Sequence, residues 1–401
     1  MRAGLAEDAE IAPASAPMGG TRAEARMVRF IVAGFGAYAL IYGAVWIAGF
    51  SGTNDFFVFW SAARWLAERG LAPGIYDVET FRAFQAGLLA ETAAAYRPFA
   101  YPPTGLLAMA PLALFPLGTA LALFLGASLA VYLAALAWRA PGRAAALVCA
   151  PASLMNVVVG QNGFLTAGLL YGGLNLAARR PWIAGALIAL LAIKPQLGVL
   201  VPIALIAARQ WTCLIAAGLG TIALIGLSAA LGGIAIWTAW LDLLPAFAAN
   251  TAANIDSASR LMVSPPAVFL TLGLDYETAR LLHLPIALAA GLAVWRLCGR
   301  FGLSPLSIAG VLAATLLATP FAYFYDLTIA AGAAAILAGE ALRTGFRPGE
   351  KFVLLLAWVA PLVAVTELRL SWTAPLALGL LLLAIWRRLA ADGRAAPGRP
   401  A

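Results

Sequence analysis

The 401-residue chain contains a single histidine, His283, and three cysteines, Cys149, Cys213 and Cys298, widely spaced and each in or beside an apolar segment. One imidazole leaves little for a His-based metal site, a Ser-His-Asp triad or a His base shared with a nucleophile. The cysteine spacing indicates neither a disulfide framework nor a zinc cage. Gly-rich phosphate loops of the Walker or dinucleotide type are also missing. Charge is scarce too: Asp, Glu, Lys and Arg make up 11% of the chain, where a soluble domain carries about a quarter. The net charge of +8 does not argue for nucleic acid, because the basic residues sit at the ends of apolar runs and form no patch or stripe.

Hydrophobic residues make up 63% of the sequence, and apolar runs of bilayer-crossing length recur along it. Such runs satisfy their backbone in lipid only as helices or closed barrels, and continuous rather than alternating patterning selects helices. The first run extends from about Val28 to Phe50, and further runs begin near Leu117, Arg143, Gly163, Trp182, Thr212, Ala279, Leu303, Leu327, Phe352 and Trp372. The expected fold is an all-α polytopic membrane bundle with about ten to twelve transmembrane segments. Residues 1–27 read as a disordered cytoplasmic tail before an uncleaved signal anchor. Residues 28–390 form the membrane domain, with a large outer loop of amphipathic helices over 51–116, and 391–401 form a second cytoplasmic tail.

Basic residues collect on cytoplasmic flanks. With the amino terminus inside, 18 of the 26 Lys and Arg fall inside, and most of the others lie in two long loops where the rule has little force. The arrangement closes if 182–208, broken at "AIKPQ", enters and returns as a hairpin of two shorter helices. It places both termini in the cytoplasm of a bacterial-type inner membrane. Asp55, "YPP" (101–103), "GQN" (160–162), "KPQ" (194–196), "SPP" (264–266) and "TPFAYFYD" (319–326) then share the outer face. Polar, proline-broken backbone at membrane depth is tolerated where it lines a cavity, so one shared cavity is expected.

Asp55 follows a long apolar run and precedes Phe56, Phe57, Phe59 and Trp60. Those aromatics are expected to desolvate it partly, which favours a proton acceptor, and to offer apolar faces for a ligand. The competing reading is an N-cap for the helix beginning at Phe56. Lys194 sits at a break inside an apolar run, where a charge is expensive: it either contacts an anion in the cavity or snorkels to the headgroups. Gln196 shares that break. Gln161 and Asn162 either hydrogen-bond a ligand in the cavity or cap two helix ends at a tight turn. Tyr325 and Asp326 either orient Lys194 or the ligand, or Asp326 caps a helix starting at Leu327. The paired prolines are expected to start short helices, and Tyr101 to face the cavity. Asp77 and Glu79 have the spacing of a carboxylate cation site, but a solvated loop face is the expected reading, and no cofactor is assigned. Arg64 pairs with Glu68 on one helix face, and His283 is a hydrogen-bonded membrane histidine.

The ordered blocks "NDFFVFWSAARWLAERG", "YPPTGLLAMAPLALFPLG", "GQNGFLTAGLL", "IKPQLGVLVPIALIAARQW", "SPPAVF" and "ATPFAYFYDLTIAAGA" resemble those of the polytopic glycosyltransferases of family 87 (the DUF2029 group). That group has the GT-C architecture and is typified by polyprenyl-phosphate-mannose-dependent α-mannosyltransferases. The resemblance covers most of 28–340 and implies that Asp55 is the catalytic base. It implies a polyprenyl-phosphate sugar donor, a lipid or glycan acceptor, and a reaction at the outer face of the bilayer. Many members carry a His after the late Ser/Thr-Pro, whereas this chain has Tyr323, Tyr325 and Asp326 nearby. The expected function is inverting transfer of a hexose, with mannose favoured, in which Asp55 takes the acceptor proton. Lys194, Gln196, Gln161, Asn162, Tyr101, Tyr325 and Asp326 are the expected donor-phosphate and sugar contacts. The alternatives are a secondary transporter, for which an internal repeat would be expected, and a non-catalytic or polymerase-type protein handling lipid-linked glycans.

Overall fold

The computed structural model describes residues 22–48, 55–88, 97–138, 140, 142–253, 261–364, 370 and 372–395. The expected tails therefore lie mostly outside the described residues, as do Arg260 and Arg369. The first helix, Arg22–Ala48, begins inside the segment read as amino-terminal tail. The last, Thr373–Ala395, runs into the segment read as the carboxyl-terminal one.

The protein is an all-α polytopic membrane protein. Among the described residues there is no strand, only an isolated antiparallel bridge between Met262 and Tyr323. Among the described residues, five helices are long and apolar enough to cross a bilayer: Leu117–Leu136, Trp211–Gly232, Tyr276–Phe301, Phe324–Thr344 and Thr373–Asp392. A sixth is counted if Gly142–Val148 and Pro151–Val159, bent by 52°, form one span; Pro151 at the first helical position after the extended Ala150 supplies the bend. Other apolar runs fold as shorter pieces, among them Pro181–Ile193, Pro195–Ala207 and Pro305–Ala318. At 1.5 Å per residue, a 14-residue helix reaches only about 21 Å of the roughly 30 Å hydrocarbon layer. The break in 182–208 falls at Lys194, between two 3-10 turns.

Two helices are apolar all round, the pattern of a bundle centre. Every residue from Ser307 to Ala318 and from Phe324 to Leu337 is buried. Around them pack Gly163–Leu176, Tyr276–Phe301 and Thr373–Ala395. By contrast, Trp211–Gly232 leaves Ile215, Leu219, Ile222 and Leu231 exposed, as a lipid-facing surface requires.

The large loop builds its own core. The amphipathic helices Phe56–Arg69 and Val78–Leu88 bring Trp65 edge-on to Phe81 and Phe84, with Phe56, Phe59, Ile75 and Leu106 closing around them. Phe56, Phe59, Trp65 and Phe81 are each at most 1% exposed, and burying each such side chain stabilises by about 1.5–3 kcal/mol. Asp55 thus stands at the start of a well-anchored helix.

Candidate active site

Local chemistry shapes each break, and side chains join the breaks to one another. Pro103 opens the short helix Pro103–Met109, and Thr104 Oγ1 donates to Ala192 O at 2.8 Å, tying "YPP" to the segment leading into Lys194. Gly160 ends Pro151–Val159 at φ +69°, a left-handed conformation that glycine adopts without steric cost. Asn156 Oδ1 then accepts from Gly163 N at 2.8 Å, starting the next helix. A Cβ on Gly163 would lie 2.4 Å from Tyr325 O and 2.8 Å from Thr328 Oγ1, so only glycine lets "GQN" approach "TPFAYFYD" this closely. Pro266 opens the helix Pro266–Thr271, and Ser264 Oγ donates to Pro320 O at 2.8 Å.

The result is one cavity of about 1350 Å³. Asp55, Tyr101, Gln161, Lys194, Gln196 and Tyr325 all line it, so five of the six breaks meet there. "SPP" does not line it; it braces the late break from behind through Ser264 and through Val263 N donating to Ala322 O at 2.8 Å. One wall is polar. The other carries Trp240, Leu241, Leu244, Pro245 and Phe247 from the helix Ala235–Ala253, and Trp240 Nε1 is pinned to Ala100 O at 3.1 Å.

Asp55 occupies the N-cap position of Phe56–Arg69, but its backbone is already helical and its side chain makes no capping bond. The carboxylate instead accepts from Arg97 Nη1 at 2.6 Å, with both side chains about one third exposed, while Gln161 Nε2 lies 3.4 Å from its other oxygen. The expected aromatic enclosure is also corrected. Phe56, Phe57 and Phe59 are buried to within 1% and pack into the protein, because the helix turns its apolar face to the loop core. The aromatic faces open to the cavity come from elsewhere, including Tyr276, stacked on Phe321, and Tyr323, stacked on Tyr325.

Lys194 does not snorkel. Its side chain is 5% exposed, and Nζ donates to Asp326 Oδ1 at 2.6 Å while lying 4.9 Å from the centre of the Tyr325 ring. Asp326 is fully buried and does not cap a helix at Leu327. It is the third residue of the 3-10 turn Phe324–Leu327, and its second oxygen accepts from Tyr323 N at 3.0 Å. An ammonium has three donors, of which this contact uses one.

Tyr101 and Gln161 line the cavity and are hydrogen-bonded together, with Asn162 buried behind them and outside the lining. Tyr101 donates to Gln161 Oε1 at 3.3 Å and accepts from Asn162 Nδ2 at 3.2 Å. Asn162 makes no capping bond, and its buried Oδ1 finds no partner among the described residues, leaving an acceptor beside Tyr101. Burial, and next the Asp326 carboxylate, holds the Tyr101 phenol well above its ordinary range, so it stays a donor at neutral pH. The same two causes push Tyr323 up to about 12.

The other candidates fall outside this constellation. Asp77 Oδ1 accepts from Thr80 N at 2.8 Å; hydrogen bonds from the Thr80 hydroxyl first and its backbone N–H second hold the Asp77 carboxyl below the usual range, and Glu79 pairs with Arg82 at 3.3 Å. Arg64 pairs with Glu68 at 2.8 Å, and His283 Nε2 bonds Leu317 O at 2.9 Å. No group of three metal-ligating side chains occurs among the described residues. Sequence reasoning missed Arg97 as the partner of Asp55: the sign of its charge was visible, but a contact across 42 positions leaves no local signal.

The broken helices of this polytopic bundle meet at a cavity with one polar and one apolar wall, and both a carboxylate, Asp55, and a buried cation, Lys194, line it. The sequence profile described as Glycosyltransferase family 87 matches residues 99–320. This chain belongs to glycosyltransferase family 87 and is a membrane glycosyltransferase. The match includes Tyr101, Gln161, Asn162, Lys194 and Gln196, and excludes Asp55, Tyr325 and Asp326. No curated protein and no solved structure matches the chain.

Proposed function

We propose that the protein transfers a hexose, with mannose favoured, from a polyprenyl-phosphate sugar to a lipid or glycan acceptor at the outer face of a bacterial-type inner membrane. Asp55 and the buried Lys194 line the same cavity, and this observation carries the proposal. The acceptor hydroxyl gives its proton to the Asp55 carboxylate as its oxygen bonds to the anomeric carbon. The bond from that carbon to the phosphate oxygen breaks, and polyprenyl phosphate leaves with the electron pair. Lys194, held by Asp326, meets the charge that develops there. One base and one displacement invert the anomeric centre, whereas a retaining two-step route needs a second carboxylate as nucleophile.

The cavity exceeds the roughly 300–1,000 Å³ of an ordinary small-molecule site, as suits a sugar, its phosphate and a stretch of chain held together. Its apolar wall on Ala235–Ala253 fits isoprenoid units. Gln161, Gln196 and Tyr101 supply hydrogen bonds for sugar hydroxyls, Asn162 supports Tyr101 from behind the wall, and both termini lie in the cytoplasm. The test uses purified protein, labelled polyprenyl-phosphate sugars and a membrane-lipid extract, comparing wild type with Asp55→Asn. Loss of transfer with donor binding retained is expected; an Asp55→Asn protein that turns over normally overturns the reading.

A further inference from the structure

The cavity wall rests on a hydrogen-bonded circuit that closes behind it. Gln85, on Val78–Leu88, is 2% exposed and does not line the cavity. Its amide holds both backbone groups of Arg97: Oε1 accepts from Arg97 N at 3.2 Å and Nε2 donates to Arg97 O at 3.0 Å. Because a peptide N–H only donates and a peptide oxygen only accepts, this pairing fixes which end of the amide is which. Nε2 also donates to Ser61 Oγ at 2.9 Å. Ser61, fully buried, passes its own proton to Val58 O at 3.2 Å, and Val58 N donates to Asp55 O at 3.1 Å. Arg97 closes the circuit on the Asp55 carboxylate at 2.6 Å. A buried amide with every polar atom matched to the Arg97 peptide and the Asp55 helix holds the two in one rigid arrangement.

We propose that Gln85 is a positioning residue for the transferase reaction: by fixing the Arg97 backbone against the first turns of the Asp55 helix, it makes Arg97 hold the Asp55 carboxylate in its reactive orientation. This inference rests on Asp55 being the base. Gln85 touches no substrate and acts only through Arg97, so its contribution to turnover exists only while Arg97 is present.

The test measures transfer from labelled polyprenyl-phosphate mannose by Gln85→Leu, Arg97→Ala, the double variant and Asp55→Asn, with thermal unfolding of each. Gln85→Leu is expected to lower kcat roughly 10- to 100-fold with donor KM within about twofold, the signature of a misplaced catalytic group. In the Arg97→Ala background the same change is expected to cost no further kcat while lowering the melting temperature by as much as in wild type. A general packing defect would lower kcat by the same factor in both backgrounds, and that result overturns the proposal, as does wild-type kcat in Gln85→Leu. If Gln85→Leu does not fold, Ser61→Ala carries the test: an expected loss of about threefold in kcat, absent with Arg97→Ala, against equal or no losses, which overturn it. Normal turnover by Asp55→Asn would instead remove the base itself, so failure of the underlying reading and failure of the positioning role give different patterns.

Discussion

Two buried ion pairs join distant parts of the chain, and they are built to opposite ends. Arg388 and Glu350 are 1% and 3% exposed. Arg388 donates from Nε and Nη2 to Glu350 at 2.7 and 2.5 Å, from Nη1 to Thr344 Oγ1 at 2.6 Å and from Nη2 to Gly345 O at 2.8 Å. Arg347 N completes the shell at Glu350 Oε2, 2.8 Å away. Lys194 and Asp326 are as deeply buried, yet a single contact joins them and the lysine stands on a cavity wall. Four hydrogen bonds from one guanidinium mark a clamp between the last helices. Donors left over beside a cavity mark a place for an anion.

The largest expected effect lies on the cavity side of this contrast. Asp55→Asn should reduce kcat by about 10²- to 10⁴-fold, the usual worth of a general base, with the melting temperature nearly unchanged. Transfer assays paired with calorimetry check this. Next, Lys194→Met and Arg388→Met each strand a buried carboxylate and should cost about 3–5 kcal/mol of stability, read as thermal unfolding in detergent. Replacing both partners separates the two pairs. Arg388→Met with Glu350→Leu should recover stability and keep turnover, whereas Lys194→Met with Asp326→Leu should recover stability without turnover, because a hydrophobic pair can replace a salt bridge but not a phosphate contact. A Lys194→Met, Asp326→Leu protein with full activity would make the cavity pair another clamp.

Smaller effects sharpen the same comparison. Gly163→Ala forces a methyl into the junction of the "GQN" and "TPFAYFYD" breaks and should cost about 1–3 kcal/mol, measurable as a lowered melting temperature with a rise in donor KM. Arg64→Ala removes a pair that is 38% and 43% exposed; it should shift stability by no more than about 0.5 kcal/mol and leave transfer untouched.

The helical class, the membrane, the paired-proline helix starts and the Arg64–Glu68 pair were legible because each depends on residues within a turn or two of one another. The candidate residues were legible as interruptions: a charge or a polar triplet in an apolar run is conspicuous whatever the fold. Their partners were not. Asp55 and Asp326 are good capping residues, and local chemistry alone favours a cap for each. In the structure Asp55 pairs with Arg97, and Asp326 pairs with Lys194 through one oxygen while the other caps the 3-10 turn at Tyr323 N; the two cations lie 42 and 132 positions away. The aromatic run after Asp55 misled for the same reason, since helical periodicity marks one face as apolar without saying whether lipid, ligand or protein covers it.

By itself, then, the sequence determined that this chain lives in a bilayer as helices and which positions break them, because hydrophobic run length and proline act through local backbone chemistry. Only the tertiary structure decided that five of the six breaks line one cavity, that the early carboxylate faces an arginine and that a buried glutamine bonds that arginine's backbone. Those contacts join groups tens of residues apart, and their geometry is set by how the helices pack.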